Sequence, residues 1–272
     1  MKKVIKNLLS VSVTLGLVLI ITTACTKGSC SVKQNYSTQY KEKSYSVNAN
    51  KVNQISLSYR DRNVELVRST DNAVHITYFQ NDMESYEINV SDQKKLKMKA
   101  ITNNRLKDYI GLDTDKAHRY VKIAVPSGVA SGIDIKTSNG DIDLSEVNIS
   151  GAVDATTSNG KIKVSNVAVD KILKMESKND DIILSSVGIK GTFDATTSNG
   201  NIEVTKVAVK DTLKLSTTNG DITGTIRGAY DAFSISSHTS KGKNNLPENK
   251  INGDKTLDVS TNNGDINLEF VN

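Results

Sequence analysis

The sequence contains no tryptophan, two prolines and two cysteines among 272 residues, and only 5% of its residues are aromatic. The two cysteines, Cys25 and Cys30, stand near the amino terminus, so the rest of the chain has no thiol for a disulfide or a metal ligand. Apolar residues almost nowhere follow the 3.6-residue helical period, whereas alternation of apolar and polar residues is common. The sequence therefore predicts an all-β protein stabilised by packing and hydrogen bonding.

A large excess of one charge is also missing. The formal net charge is +5, with 35 basic and 30 acidic residues. Three of the lysines lie in the first six residues, and without them the net charge falls to about +2. This balance excludes a nucleic-acid-binding protein that depends on a basic patch, so we expect no nucleic acid partner.

The first 24 residues have the features of a targeting segment. Lys2, Lys3 and Lys6 are followed by an uncharged apolar stretch, residues 8–21, and then by small residues that lead into Cys25. This ending resembles a bacterial lipoprotein lipobox, although Thr22 stands where a large aliphatic residue is usual. The resemblance implies a signal peptide over 1–24, lipidation of Cys25 and a membrane partner through that lipid. The alternative is ordinary secretory cleavage, with Cys25 left as a plain thiol.

The remaining chain divides into three parts. Residues 25–44 are polar and predict a lipidated cysteine followed by a flexible tether. Residues 45–126 alternate in β fashion without any repeated phrase, which is compatible either with degenerate first coils or with a small β cap that covers the open end of a stack. Residues 127–272 carry a repeat.

The repeat is a short phrase that begins as Thr137-Ser138-Asn139-Gly140-Asp141-Ile142 and returns every 20 residues. A constant period of this length indicates a solenoid, in which each coil rests on the previous one. Ile142 recurs as Ile162, Ile182, Ile202 and Ile222, so these side chains are expected to form one interior column. A meander of hairpins is the alternative, but antiparallel neighbours would not present identical columns in the same order.

The Asn-Gly pair predicts a turn with positive φ. An inward-pointing asparagine in each coil would also bond to its copies about 4.8 Å away, as in a stacked-sheet ladder, whereas the simpler alternative is that asparagine is only a good turn former. In the third coil Asp180 replaces the glycine, so we expect the asparagine to matter more than the glycine. The proposed ladder residues are Asn139, Asn159, Asn179, Asn199, Asn219 and Asn263.

The period breaks once, after Gly220. The excess residues fall in 238–256 and predict an irregular coil with a loop extruded from the stack, after which the last strands resume the pattern and cap the end. Because this loop is polar and basic, we expect it to contact a ligand. The proposed contact residues are Lys241, Lys243, Asn244, Asn245 and Lys250.

One family shares these features. The stretch from Val121 to Gly128, followed by Ile133 to Ile142, resembles bacterial proteins of the DUF4097 type, which are grouped as “putative adhesins”. The resemblance covers residues 45–272. It implies a single-stranded right-handed parallel β-helix on the cell envelope and supplies no catalytic residues.

No catalytic or metal-binding motif accompanies the repeat. The acids after the turns, such as Asp141, Asp181 and Asp221, recur with the coil and are typical of solvated strand surfaces, while the histidines lie far apart. We therefore expect no cofactor, no metal and no enzymatic activity. The chain is expected to be an envelope-anchored monomer that acts either as an adhesin-like module, in contact with envelope glycans or proteins, or as a structural module. The alternative hypothesis is a carbohydrate-active enzyme, which needs an acidic cleft built by two or more coils.

Overall fold

The computed structural model describes residues 39–82, 84–102 and 118–272. The predicted signal peptide, the predicted lipidation site Cys25 and most of the tether lie outside these residues. The described part is all β, with short 3₁₀ turns at Ala49–Lys51 and Tyr230–Ala232. None of its helices is long and apolar enough to span a membrane.

The repeat body is a stack of coils, and each coil contributes one strand to each of two large sheets. The first sheet contains β9 (Ile142–Ser145), β12 (Ile162–Ser165), β15 (Ile182–Ser185), β18 (Ile202–Val209) and β20 (Ile222–Arg227). The second sheet contains β8 (Gly132–Lys136), β11 (Ala152–Thr156), β14 (Leu173–Glu176), β17 (Thr192–Thr196) and β19 (Thr212–Ser216). A narrow third face consists of β10 (Asn148–Ile149), β13 (Ala168–Val169), β16 (Gly188–Ile189) and the end of β18.

Neighbouring strands of the repeat are parallel and in register at 20 residues, except that the register of β18 against β20 shifts by one residue between Val204 and Val207. Ile162 pairs with Ile142 on one side and with Ile182 on the other, and the column continues through Ile202 and Ile222. These five side chains are fully buried. The predicted parallel β-helix is therefore confirmed, and a hairpin meander is excluded.

A second corner of the coil repeats without glycine. The chain takes a left-handed conformation at Glu146, Asn166, Ser186 and Lys206, with φ between 54° and 56°. Three of these four residue types are not the usual ones for positive φ, which costs roughly 1 kcal/mol or more per residue. The corner is tolerated because the strands on both sides of it are held by the coils above and below.

The amino-terminal region contains both of the predicted arrangements. Its strands are β1 (Lys41–Asn48), β2 (Gln54–Ser58), β3 (Asn63–Arg68), β4 (Ala73–Gln80), β5 (Glu84–Val90), β6 (Lys95–Thr102) and β7 (Tyr120–Val125). The pair β2 and β3 forms a coil directly below β8 and β9, and β6 and β7 form a further coil below that one. The antiparallel strands β1, β4 and β5 then cover the end of the stack.

The first half of β1 corrects the predicted extent of the tether. Residues 41–44 were expected to be flexible, but they pair with β4 over the full length of the strand. A polar, lysine-containing sequence also suits an edge strand, because exposed charges discourage further pairing. Composition alone does not distinguish these two cases.

The carboxyl-terminal end contradicts the predicted extruded loop. β21 (Phe233–Lys241) and β22 (Asn249–Lys250) form the outermost layer, while β23 (Lys255–Asn263) and β24 (Ile266–Val271) insert between them and the preceding coil. Leu257 therefore pairs with Leu213 on one side and with Ile235 on the other. The buried side chain of Leu246 anchors the supposed loop to the same continuous core as the repeat.

Candidate interaction surfaces

The asparagines of the phrase form a continuous hydrogen-bonded ladder. Each Nδ2 donates to the Oδ1 of the asparagine one coil nearer the amino-terminal end, with the Asn159–Asn139 and Asn179–Asn159 bonds both at 2.7 Å. The ladder continues through Asn199, Asn219 and Asn263 with distances of 2.7–2.9 Å. These side chains are solvent-exposed, so the expectation that they point inward is wrong.

The two ends of the ladder carry charges that match its polarity. At the lower end the Asn139 amide donates to the carboxylate of Asp61. At the upper end Lys241 occupies the register position of the next asparagine, opposite Asn263. The donor Nδ2 atoms of the ladder therefore point toward the carboxylate at its lower end, and the acceptor Oδ1 atoms point toward the cation at its upper end. Residues 239–243, Thr-Ser-Lys-Gly-Lys, are a degenerate copy of the phrase, and the predicted ligand contact Lys241 belongs to it.

The phrase glycine has a different role from the one expected. Neither Gly140 nor Gly160 adopts positive φ. Instead, a Cβ at Gly160 would lie 2.0 Å from the carbonyl oxygen of Gly140, and the same close approach recurs at Gly200, Gly220 and Gly264. Glycine suits this position because the corners of successive coils touch backbone to backbone, although Asp180 stands at the same position in the third coil.

A column of buried hydroxyls went unnoticed at sequence level. Thr157 Oγ1 donates to the carbonyl of Gly140 at 3.0 Å, and Ser177 donates likewise to Gly160. Thr217 makes the equivalent bond to Gly200 at 2.9 Å. The signal was present, because a threonine or serine stands two positions before every ladder asparagine.

The recurring acids after the turn also bond between coils. Asp141 Oδ1 accepts the backbone amide of Lys161, and Asp181 Oδ1 accepts that of Asn201, both at 2.9 Å. Asp221 Oδ1 accepts the amide of Asp265 at 2.8 Å. Each of these carboxylates thus satisfies a backbone donor of the next coil.

Most of the predicted ligand-contact segment is occupied in capping the stack. Asn244 Nδ2 donates to Ser237 Oγ at 2.8 Å, and Asn245 bonds to both the backbone and the side chains of β24. Lys250 Nζ donates to the Phe233 carbonyl at 2.8 Å. Lys241 and Lys243 remain exposed. The structure therefore brings these five residues into one layer, in which Asn244, Asn245 and Lys250 bond to the neighbouring strands β21 and β24.

A shallow groove lies on the outer side of the first sheet and crosses β15, β18 and β20. Its volume is about 240 Å³. It is lined by Asp181, Ile183, Asn201, Glu203, Asp221 and Thr223. Glu203 is exposed in its centre, whereas Asp181 is held by an ion pair with Lys161 at 3.2 Å in addition to its backbone bond. The groove offers amide, hydroxyl and carboxylate groups beside one aliphatic side chain.

The groove meets one requirement of the enzyme hypothesis, because carboxylates from three coils line it. Glycoside hydrolysis also needs one carboxylic acid that stays protonated beside a second that is ionised. Asp143 is a carboxyl of this sheet whose pKa is raised, and it lies on β9, two strands from the groove strand β15. Burial raises its pKa, Lys163 opposes the rise and Glu65 adds to it.

A buried polar cluster joins the amino-terminal cap to the first coil. The Arg62 guanidinium is 3% exposed, donates to Tyr86 Oη at 2.7 Å and forms an ion pair with Glu84. The Tyr40 hydroxyl donates to the same Glu84 carboxylate at 3.0 Å. Burial raises the pKa of Tyr86 to about 12, although Arg62 opposes the rise. Arg62 occupies the glycine position of a degenerate phrase, a departure that gave no sign of this role.

Metal ligation finds no support in the described residues, which contain no group of three or more histidine, cysteine, aspartate or glutamate side chains placed to hold an ion. His75 instead contacts Asp71 and Ser46 on the surface of the cap.

Comparison with known families gives a match over most of the chain. The family model described as Toastrack DUF4097 matches residues 52–172 and 127–269. None of the curated proteins matches the chain significantly.

Several solved structures are similar to the chain at low identity. A “putative cell adhesion protein” from Clostridium sporogenes is 13% identical, with 86% of this chain and 100% of that chain covered and a TM-score of 0.40. A “putative adhesin” from Bacteroides fragilis is 11% identical, with coverages of 86% and 98% and a TM-score of 0.44. Another from Parabacteroides merdae is 13% identical, with coverages of 85% and 97% and a TM-score of 0.26.

Proposed function

The chain belongs to the Toastrack DUF4097 family, and we propose that it is a non-catalytic, adhesin-like lipoprotein that binds envelope glycans or proteins through the outer faces of a rigid β-solenoid. The leader and Cys25 support the membrane anchor, because a charged segment, an apolar stretch and a small-residue approach to cysteine together favour lipidation. A polar chain between the lipid and β1 would carry the folded body away from the membrane surface.

The proposal rests on the observation that the polar side chains of the repeat form two groups, those that bond between coils and those that face solvent. Those of the phrase bond from coil to coil, as Thr157, Asn159 and Asp181 do, and so they make the scaffold stiff. Outward residues such as Glu203 and Thr223 are left to face solvent in an open groove. A preformed groove with mixed donors and acceptors suits a polar ligand, since little ordering is needed on binding.

Binding is tested with the full-length chain in detergent, incubated with cell-wall polysaccharide and with envelope extract. We expect Glu203→Lys to weaken binding about tenfold, the scale of one lost hydrogen bond to a charged group. Glu269→Lys makes the same charge change on β24, outside the groove, and is expected to bind as the parent chain does. Equal binding by both variants would remove the groove from the proposal, and no binding to any material would reject the interaction module.

The anchor is tested separately. Cys25→Ser is expected to abolish incorporation of labelled fatty acid and to shift the chain from the membrane fraction to the soluble fraction. Persistent membrane association of this variant would reject lipidation as the anchor, without affecting the groove.

A carbohydrate-active enzyme is the second candidate, because Asp181, Glu203 and Asp221 converge on the same groove. The discriminating measurement is release of reducing or unsaturated sugar ends from the polysaccharides that bind. Release that Glu203→Gln abolishes would favour the enzyme, and binding without release favours the module.

A further inference from the structure

Six asparagines in this chain directly precede glycine, and this pair is the one most prone to spontaneous deamidation, because glycine leaves the following backbone nitrogen unshielded. Five of them, Asn139, Asn159, Asn199, Asn219 and Asn263, belong to the ladder. All are solvent-exposed, so exposure alone would leave every coil open to this damage.

The sixth asparagine is placed differently. Asn252 lies in the connection between β22 and β23, is exposed, and has a left-handed φ of 78°. Within the described part of the chain its side chain makes no hydrogen bond, whereas the interior ladder asparagines use both side-chain atoms. The Gly253 amide donates to Ser234 Oγ at 3.0 Å, a single, partly buried bond that must open for reaction.

We propose that Asn252 is a site of spontaneous deamidation, and that the ladder protects the other five Asn-Gly pairs while the chain is folded. In the reaction the Gly253 backbone nitrogen attacks Cγ of Asn252 and forms a cyclic imide. The Cγ–Nδ2 bond breaks, and ammonia leaves with the proton from the backbone nitrogen. Water then opens the ring at either carbonyl, which gives aspartate or isoaspartate without any oxidant or cofactor.

The ladder opposes this reaction because attack requires the side chain to rotate toward its own backbone. In Asn159 that rotation breaks the bond to Asn139 and the bond from Asn179 together. Asn263 is held by one ladder bond, to Asn219, and therefore ranks between the interior asparagines and Asn252.

The isoaspartate product has a structural consequence at the carboxyl-terminal layer. Gly253 packs so closely that a Cβ there would lie 2.1 Å from the Phe233 carbonyl carbon. An extra backbone methylene at residue 252 would push Gly253 off this contact and loosen the layer formed by β21 and β22. Deamidation of the folded protein therefore begins at its outermost layer and leaves the repeat coils intact.

The test holds the full-length chain in detergent at mildly alkaline pH, with and without denaturing urea, and maps isoaspartate by peptide mass spectrometry. In the native sample we expect conversion at Asn252 to be at least about tenfold faster than at Asn159 or Asn199, the factor that two ordinary hydrogen bonds supply. In urea we expect all six sites to convert at similar rates. A native rate at Asn252 no higher than at Asn199 would overturn the assignment of the site.

A variant isolates the protective role of the ladder. Asn159→Ala removes the donor that holds Asn139 Oδ1 and leaves the bonds of Asn219 untouched. We expect deamidation at Asn139 to rise several-fold while that at Asn219 in the same molecule stays constant, with circular dichroism verifying the fold. An unchanged rate at Asn139 would overturn the protection, and Asn252→Gln provides the control that lacks the fast site.

Discussion

Asp180 and Lys161 are coupled departures from the repeat. In the neighbouring coils an aspartate or asparagine accepts the backbone amide one coil above, as Asp181 does for Asn201 at 2.9 Å. Lys161 has no acceptor to offer, and the amide above it, that of Asp181, instead donates to Asp180 Oδ1 at 2.8 Å. The aspartate that replaces the phrase glycine therefore supplies the bond that the lysine cannot make.

This coupling predicts a non-additive pair of substitutions. Asp180→Gly alone leaves the Asp181 amide without its acceptor and should cost about 1 kcal/mol of unfolding free energy. Adding Lys161→Asn restores an acceptor in the coil below, so the double variant should recover most of that loss, with a coupling of about 1 kcal/mol. Urea unfolding of the two single variants and the double variant measures the coupling. Strict additivity would show that the two positions are independent.

The phrase glycine should matter more than the ladder asparagine, contrary to the expectation from sequence. Gly160→Ala forces a Cβ to within 2.0 Å of the Gly140 carbonyl oxygen, and relieving that clash by moving the backbone should cost about 2 kcal/mol or more. Asn159→Ala removes two exposed hydrogen bonds and should cost about 1 kcal/mol. Thermal melting of the two variants ranks them. A more stable Gly160→Ala than Asn159→Ala would reverse the conclusion.

The buried hydroxyl column should be sensitive to substitution, and its outward-facing, half-buried neighbour Thr156 should be less so. Thr157→Val preserves shape but leaves the Gly140 carbonyl without the donor that lies 3.0 Å away, and we expect a loss of about 1–3 kcal/mol. Thr156→Val is the matched control, since Thr156 lies on the outer face and bonds only to Asp154 in its own strand. Similar losses in the two variants, measured by chemical denaturation, would count against the column.

The amino-terminal cap should weaken at alkaline pH. Burial holds the pKa of Tyr86 at about 12 against an ordinary value of 10.0, so the folded state binds this proton more tightly than the unfolded state does. Its contribution is therefore complete below pH 10 and is lost as the pH rises through about 12, a change of about 2–3 kcal/mol. Tyr86→Phe should reduce this alkaline loss, although it also removes the acceptor of Arg62 at neutral pH. Part of the loss should remain, because burial also raises the pKa values of Tyr40, Tyr45, Tyr59 and Tyr78. The prediction is contradicted if the melting temperatures of the parent chain and of Tyr86→Phe fall in parallel across the alkaline range.

The body of the fold could be predicted because each repeat position carries its own signal. Ile142 and its copies pair as their spacing requires, and the asparagine ladder follows from the same register. The predicted role of the phrase glycine, a turn with positive φ, was wrong. Its actual role is a close backbone contact between coils, which depends on the stack and not on the local sequence.

The two ends could not be predicted, because their stacking order differs from their chain order. Val64 on β3 pairs with Ile142 although 78 residues separate them, and Leu257 inserts between Leu213 and Ile235. A spacing analysis assumes that consecutive coils are neighbours, and neither end meets this assumption. Arg62 was missed for the same reason, since its partners Glu84 and Tyr86 lie on strands that no repeat relates to it.

The parallel stack itself is tested by distances between spin labels on the outward column of the first sheet, with Cys25 and Cys30 replaced by serine. In register, each coil adds about 4.8 Å, so separations should grow evenly from the pair 163 and 203 to the pair 143 and 203 and then to the pair 143 and 223. The pair 223 and 267 should be separated by a single strand spacing although the two positions are 44 residues apart in the sequence, because Thr223 pairs with Asn267. Separations that follow this order would establish the stack and its inserted end; separations that do not grow with coil number, or a large distance between 223 and 267, would contradict it.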